Sequence, residues 1–301
     1  MAKIDSFLKL VTEQQASDLH FCSGSVPTIR YGGDLIQLPF RELGELETIR
    51  FLMEIIDDKS REKLEKEKEL DFVYKIDGVG RFRANYHWHI DGIGAVFRII
   101  PNEIPTIDKM GLPKIFRQII QISNGLILVT GPTGAGKTTT LAGLVNEVNI
   151  TQRRHVITIE DPIEFLHKPI KSLITHRQVG MHAETFNSAL RSALRESPDV
   201  LVIGEMRDPE SVELALRAAE TGCLVLGTLH TDSAGKAINR IIDALPDRSQ
   251  DQVRATLSVL LRAVISQRLV KRASGEGRIA AVEVLLQNWA MAHMIRENKT
   301  H

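Results

Sequence analysis

The sequence has few cysteines, few aromatic residues and no excess of charge of either sign. Its two cysteines, Cys22 and Cys223, lie far apart and form no CxxC pair, which excludes a paired-cysteine zinc site and is typical of a reducing, cytosolic compartment. Lys+Arg and Asp+Glu both number 38, and aromatic residues make up 5%. Both values argue against a nucleic-acid binder, which is usually basic and often stacks bases on aromatic rings.

The sequence also lacks a long hydrophobic run. No apolar stretch approaches the roughly 18 residues of a transmembrane helix, and the N-terminus, MAKIDSFLKL, is too polar for a signal peptide. Internal repeats and low-complexity segments are absent as well. We therefore expect a soluble, cytoplasmic protein with no membrane span, which associates with a membrane only through a partner. Its 301 residues are enough for two domains.

The stretch LILVTGPTGAGKTTT, residues 126–140, matches a phosphate-binding loop. Its apolar start predicts a buried strand, and residues 131–138 fit G-x-x-x-x-G-K-[ST] before a helix. The glycines let backbone N–H groups approach a phosphate, which the dipole of the following helix also favours. The residues predicted to bind nucleotide are Gly131, Pro132, Thr133, Gly134, Ala135, Gly136, Lys137, Thr138 and Thr139.

Two side chains of this loop carry separate roles. Lys137 supplies a mobile cation for the β- and γ-phosphates, and the hydroxyl of Thr138 is the expected Mg²⁺ ligand. Because a phosphate loop occurs in kinases, GTPases and motors alike, these residues predict nucleotide and Mg²⁺ binding without specifying the reaction.

A proline-rich stretch separates two patterns along the chain. Residues 1–100 combine helices over 3–17 and 45–68 with short alternating strands, which predicts a small α+β domain with a hairpin turn at 77–80. Residues 101–113 contain three prolines and are predicted to form a linker. Residues 114–301 are predicted to form the second domain.

The second domain alternates apolar strands with helices, which predicts an α/β fold with a mostly parallel sheet. The predicted strands are 126–130, 155–160, 199–204, 223–228 and 280–286. The predicted helices are 114–122, 138–149, 185–196, 209–221, 233–243, 247–271 and 288–297.

Acidic side chains follow the second of these strands. The sequence TIEDPIE, residues 158–164, places Glu160, Asp161 and Glu164 at the carboxyl end of a strand, where α/β sheets bind ligands. Carboxylates at that position can hold Mg²⁺ or orient a water molecule. An alternative for Asp161 is a helix N-cap with Pro162 at the first helical position, although this would not explain Glu164.

Two further strand ends carry polar side chains. Glu205 follows the buried strand DVLVIG, which is the Walker B arrangement that delivers a carboxylate toward the metal. Thr228 and His230 end the next strand, where they could contact the γ-phosphate. A lone histidine is more often structural, so the role of His230 depends on the other clusters. Arg207 and Asp208 could form a simple surface pair.

Together these clusters resemble the secretion-ATPase superfamily, and within it the retraction motors of type IV pili, the PilT-like or twitching-motility group. The resemblance covers essentially the whole chain. The matching stretches are residues 80–101, the loop 131–138, the Asp box TIEDPIE (158–164), the Walker B stretch SPDVLVIGEMRDPES (197–211), the His box TGCLVLGTLHTDSA (221–234) and the closing AMAHMIRENKTH (290–301).

This resemblance implies an ATPase with a RecA-like core and a smaller PAS-like N-terminal domain. It implies that Glu164 activates water, that Glu205 acts through Mg²⁺, and that His230 lies near the γ-phosphate. It also makes three arginines of the N-terminal domain candidates to reach the nucleotide: Arg81, Arg83 and Arg98. The implied assembly is a homohexamer that acts on a pilus platform protein, with the motor peripheral at the inner membrane.

Two departures from the family pattern bear on this expectation. The four-cysteine zinc module usual in assembly and type II secretion ATPases is incompatible with two lone cysteines, which favours the retraction group. The family usually continues with further helices beyond the position of His301, so we expect either that the sequence is truncated there or that this member of the family is short. A related secretion or pilus-assembly ATPase, or a RecA-like nucleic-acid motor, remains an alternative.

Overall fold

The computed structural model describes residues 2–101, 103–246, 250–274 and 277–299. The chain divides into two units, Met1–Glu103 and Ile104–His301. Each unit is built on its own β-sheet, with six strands in the first and seven in the second. Within the described ranges, no helix combines the length and the apolar composition that crossing a bilayer requires.

The N-terminal unit is an antiparallel sheet packed against three helices. Its elements are α1 (Asp5–Glu13), β1 (Asp18–Cys22), β2 (Thr28–Tyr31), β3 (Asp34–Gln37), α2 (Glu45–Met53), α3 (Asp58–Glu67), β4 (Glu69–Ile76), β5 (Gly80–His89) and β6 (Gly92–Ile100). The strand order is β3-β2-β1-β6-β5-β4. Phe21, Tyr86 and Phe97 form the core with helix residues such as Leu8 and Leu52. The predicted hairpin turn before β5 is confirmed by the β4–β5 register.

The single helix predicted over residues 45–68 is wrong, because two helices occupy it. α2 ends at Met53 and α3 begins at Asp58. Asp57 has an extended backbone, and its side chain accepts a hydrogen bond of 2.8 Å from the N–H of Ser60. This is an N-cap that starts a new helix. The sequence does not indicate this cap, because its residues lie inside a continuous charged run that contains no glycine or proline.

The C-terminal unit is a sheet with helices on both faces. Its elements are α4 (Ile115–Ile119), β7 (Gly125–Thr130), α5 (Lys137–Thr151), β8 (His155–Glu160), β9 (Leu173–Gln178), α6 (Phe186–Ala193), β10 (Val200–Ile203), α7 (Pro209–Glu220), β11 (Leu224–Leu229), α8 (Ala234–Asp243), α9 (Gln250–Leu260), β12 (Leu261–Lys271), β13 (Arg278–Leu286) and α10 (Trp289–Arg296). The strand order is β13-β12-β7-β11-β10-β8-β9, and only the β12–β13 pair of this order is antiparallel. The predicted α/β class is confirmed.

The long helix predicted over residues 247–271 is also wrong. α9 ends at Leu260, and β12 begins at Leu261 with no glycine or proline between them. β12 pairs in parallel with β7, so its buried residues, such as Val264 and Ile265, complete the sheet beside the phosphate loop. Apolar residues in this stretch fit helical spacing and a buried strand equally well, and the tertiary partner decides between them. Residues 247–249 of that prediction lie outside the described residues.

Strand β9 has no counterpart among the sequence predictions. Its sequence, LITHRQ, is mostly polar. It lies at an edge of the sheet, paired in parallel with β8, and most of its residues are half-buried. An edge strand does not need the apolar alternation by which a strand is recognised.

Residues 104–113, which make up most of the predicted linker, pack against α5. Ile107 is fully buried. A Cβ atom on Gly143 of α5 would lie 2.2 Å from Cε of Met110, so the methionine side chain lies directly on the helix backbone. This segment therefore covers the outer face of the helix that follows the phosphate loop.

Candidate active site

Four parallel strands of the C-terminal sheet, β7, β8, β10 and β11, end at the same edge. Three of the predicted site residues come directly or almost directly after these ends: Gly131 after β7, Glu205 after β10 and His230 after β11. Glu164 follows β8 by four residues. The carboxyl edge of a parallel sheet is where α/β proteins bind their ligands.

The phosphate loop adopts a backbone that requires glycine. Gly131, Gly134 and Gly136 have φ values of 149°, 77° and 85°, in the region that L-residues rarely adopt. A Cβ atom on Gly131 would lie 2.3 Å from the carbonyl oxygen of Gln267. The helix α5 starts immediately afterwards at Lys137, so its free N–H groups face the space enclosed by the loop.

Gln267 of β12 holds the phosphate loop through a side-chain hydrogen bond. The sequence did not predict this role. Its side chain is almost fully buried, and Nε2 donates a hydrogen bond to the carbonyl oxygen of Ala135. The same nitrogen would lie 3.1 Å from a Cβ atom on Gly136. Since residues 247–271 were predicted as one helix, nothing in the sequence placed Gln267 beside the loop.

Lys137 is buried and folds back over the phosphate loop. Its Nζ donates hydrogen bonds to the carbonyl oxygens of Gly131 at 2.9 Å and Pro132 at 3.1 Å. Burial lowers the pKa of Lys137, and the charge of Glu205 opposes that shift. The ammonium group is thus held at the mouth of the loop by weak carbonyl partners that a phosphate can replace.

His230 connects Lys137 to Glu205. Its Nδ1 lies 3.4 Å from Nζ of Lys137, and its Nε2 lies 3.1 Å from Oε1 of Glu205. An ammonium group can only donate, so Nδ1 accepts here and Nε2 carries the proton that faces the carboxylate. The sequence predicted each of these residues for the site, and the structure brings the three together.

Glu205 also pairs with Arg207, whose guanidinium lies 2.9 Å from Oε2. Burial alone would raise the pKa of Glu205, but the hydrogen bonds and charges of Arg207 and His230 outweigh it and hold the pKa below its ordinary value. The carboxylate is therefore ionised and available to a cation. Arg207 does not form a hydrogen bond with Asp208 among the described contacts, since Asp208 caps α7 through Ser211.

The Asp box enters the irregular segment that follows β8. No helix begins at Asp161, since residues 161–172 contain neither helix nor strand, so the N-cap alternative is wrong. Along this segment Phe165 and His167 are buried, whereas Glu164 is half-buried. Burial and the neighbouring His176 lower the pKa of His167 to about 3, so its ring is neutral at physiological pH.

The three predicted arginines lie in the N-terminal unit. Arg98 donates to the buried carboxylate of Asp18 at 2.8 Å. Arg83 faces Arg98 across the β5–β6 ladder and lies 3.8 Å from Asp71. Arg81 lies two residues earlier on β5. Arg81 and Arg83 project from one face of β5, and Arg98 lies opposite Arg83 on β6.

The residues present fit a nucleotide and its metal ion. A Cβ atom on Gly134 would have nothing within 4 Å, so the loop faces open space at this residue. Thr138 and Glu205 offer a hydroxyl and a carboxylate, the oxygen ligands that Mg²⁺ prefers. The arrangement can bind phosphates and place a carboxylate beside a divalent cation.

A loop of this kind, with an acid and a histidine supplied by the neighbouring parallel strands, defines a P-loop ATPase with a RecA-like core. The antiparallel sheet and helices of the N-terminal unit form the smaller, PAS-like α+β domain. Both parts of the predicted fold class are confirmed by solved structures. The chain matches a crystal structure of the pilus retraction motor PilT with bound ADP. The match covers 100% of this chain and 87% of the PilT chain, with a TM-score of 0.93 and 45% identity.

Sequence relatives agree with that structural match. The Type II/IV secretion system protein family matches residues 2–300, and the chain belongs to this family. The type IV pilus retraction ATPase PilT of Pseudomonas aeruginosa is 45% identical over 98% of this chain and 86% of that protein. A twitching motility protein of Neisseria gonorrhoeae is 46% identical over 93% of this chain and 74% of that protein. The structure of the ATPase DotB of Legionella pneumophila also matches this chain. The match covers 99% of this chain and 85% of DotB, at 28% identity and a TM-score of 0.87.

Proposed function

We propose that the protein is a Mg²⁺-dependent ATPase that works as a homohexameric motor and powers retraction of type IV pili. The observation that carries the proposal is the chain of contacts from Lys137 through His230 to Glu205, which joins the phosphate loop to the Walker B acid. Near-full-length similarity to proteins named as pilus retraction motors supports the biological role.

In this mechanism the phosphate loop binds ATP. Backbone N–H groups of residues 131–138 and the start of α5 hold the β-phosphate, and Lys137 leaves its carbonyl partners to bind the β- and γ-phosphates. Thr138 and Glu205 hold Mg²⁺. When bound, the ion neutralises phosphate charge that develops during hydrolysis.

Glu164 is the proposed general base. A half-buried carboxylate in the segment that follows β8 can accept a proton from the attacking water. His230, already in contact with Lys137 and Glu205, exchanges these partners for the γ-phosphate and so reports whether it is present. Arg81, Arg83 and Arg98 supply guanidinium groups that stabilise the charge of the transferring phosphoryl group.

The proposed assembly is a homohexamer in which hydrolysis moves one domain against another and transmits force to a pilus platform protein of the inner membrane. The motor itself would be cytoplasmic and peripheral to that membrane. A secretion ATPase is the second candidate, because DotB is similar over nearly the whole chain.

The experiment is phosphate release from ATP across size-exclusion fractions, with and without Mg²⁺. We expect Mg²⁺-dependent activity only in a hexamer-sized fraction, and its loss in Lys137→Ala. Lys171→Ala is the matched control, since this lysine is exposed and lies outside the loop. Activity in a monomer-sized fraction would contradict the ring. Stimulation by DNA with a steep salt dependence would favour a nucleic-acid motor instead.

A further inference from the structure

The segment that carries Glu164 has to be held by its surroundings. It lies between β8 and β9 and has no helix or strand of its own. Ile163, Phe165 and His167 are buried, Glu164 is half-buried, and Leu166 is 52% exposed. This alternation directs Glu164 away from the side on which its neighbours are buried. The aim of the carboxylate therefore depends on how firmly the backbone on either side is fixed.

Two side chains of β9 fix that backbone by hydrogen bonds. Oε1 of Gln178 accepts from the N–H of Ile163 at 3.2 Å, and Nε2 of His176 accepts from the N–H of His167 at 3.0 Å. One bond lies immediately before Glu164 and the other three residues after it. Because His176 and Gln178 are two residues apart on one strand, their side chains project from the same face.

Each acceptor is itself held in place. The Nδ1 of His176 lies 2.9 Å from Oγ1 of Thr158, a residue of β8 that is 1% exposed. A backbone N–H can only donate, so Nε2 of His176 carries no proton, and Nδ1 of the neutral ring donates to Thr158. Gln178 is also buried, and its own backbone N–H donates to Nδ1 of His182 at 2.9 Å.

On its other side the segment packs against the helix that begins in the phosphate loop. Phe165 and His167 line a cavity of about 20 Å³ together with Thr138 and Leu141 of α5. Side chains of the segment therefore face α5, while two of its backbone N–H groups donate to the acceptors of β9.

We infer that Gln178 and His176 are positioning residues that aim Glu164 at the γ-phosphate of ATP by bracketing its backbone with two hydrogen bonds. The inference rests on the proposed role of Glu164 as the base. ATP itself is bound by the phosphate loop, which neither residue contacts among the described hydrogen bonds. Loss of either acceptor should therefore slow hydrolysis and leave ATP affinity unchanged.

The first experiment replaces Gln178 in the full-length protein. Gln178→Met keeps the length of the side chain but removes the acceptor, and we expect kcat to fall at least tenfold with unchanged KM and ATP affinity, because a misplacement of about 1 Å can cost about a hundredfold in rate. Gln178→Glu keeps an acceptor oxygen and should restore most of kcat. Gln121→Met, at an exposed position outside the segment, is the matched control.

The second experiment tests whether the effect passes through Glu164. In the double variant with Glu164→Gln, Gln178→Met should slow the residual turnover no further. His176→Leu should repeat the loss in kcat, and His176→Gln, which offers an amide oxygen, should recover part of it. ATP binding by each variant shows that it is folded.

Three outcomes would overturn the inference. The first is an unchanged kcat in both Gln178→Met and His176→Leu. The second is a rise in KM of these variants as large as their fall in kcat. The third is a double variant that turns over much more slowly than Glu164→Gln alone. Failure of the underlying function looks different: Glu164→Gln would then turn over at the wild-type rate whatever residue stands at 178.

Discussion

Lys137 and His230 face each other at the carboxyl edge of the sheet, with Nζ and Nδ1 3.4 Å apart. The two residues are 93 positions apart in the chain. They meet because β7 and β11, the strands that precede them, are neighbours in the sheet. Through the opposite nitrogen of its ring, His230 also contacts Glu205. The histidine thus links Lys137 of the phosphate loop to Glu205 at the end of β10.

The first prediction concerns this link. His230→Ala removes the proposed contact with the charged γ-phosphate, and because one hydrogen bond to a charged group contributes about 1.5–3 kcal/mol, we expect kcat/KM for ATP to fall by about tenfold to a hundredfold. Steady-state phosphate release measures it. His293→Ala, which removes an exposed histidine of α10, is the control and should behave as wild type. Wild-type kinetics for His230→Ala would exclude the histidine from the reaction.

The second prediction concerns the close contact between the phosphate loop and β12. Gly131→Ala places a Cβ atom 2.3 Å from the carbonyl oxygen of Gln267 at a φ of 149°, a strain of about 1–3 kcal/mol or more. We expect ATP binding to be lost and the melting temperature to fall. Gly44→Ala is the matched control, because its φ is −74° and nothing lies within 4 Å of the added atom. ATP binding by Gly131→Ala at wild-type affinity would contradict the loop geometry.

The third prediction is a pH dependence of stability that comes from His167. Its folded pKa of about 3 lies below the ordinary value of 6.5, so acid protonates the unfolded chain first. The contribution of His167 to the free energy of unfolding is fully present above pH 6.5 and is lost as the pH falls toward 3. Below pH 3 the ring is protonated in both states, and the free energy no longer changes through this residue. Between pH 7 and pH 5 the loss is about 2 kcal/mol.

Urea unfolding at pH 7 and pH 5 measures this effect. The fall in unfolding free energy between the two pH values should be about 2 kcal/mol smaller in His167→Gln than in wild type. The exposed His293→Gln should leave that difference as it is in wild type. An equal fall in His167→Gln and wild type would show that His167 does not stay neutral in the folded protein.

The phosphate loop and the strand ends were predictable because short-range residue patterns determine them. Glycines at 131, 134 and 136 are needed for one backbone path, and an apolar strand followed by an acid places Glu205 at the sheet edge. These features do not depend on which strand lies next to which. The sequence therefore identified the residues of this edge without the strand order.

The secondary-structure predictions that were wrong concern elements that depend on partners distant in the chain. β12 follows α9 without a glycine or proline between them, and its pairing with β7 and β13 makes it a strand. β9 is polar enough to resemble a loop. Gln178 and Gln267 lie on these two strands. Their contacts with residues 163 and 135 could therefore not be predicted from the sequence either. The roles assigned to the predicted site residues stay predictions: Lys137, Thr138, Glu164, Glu205, His230, Arg81, Arg83 and Arg98.

The most direct measurement separates ATP binding from ATP hydrolysis in Glu164→Gln. The substitution removes the proposed base and leaves the phosphate loop, Lys137 and Glu205 intact. We expect ATP to bind with wild-type affinity while the rate of phosphate release in a single turnover falls by about a hundredfold or more. Phosphate release at the wild-type rate would contradict the account, because the base would then have to be another residue.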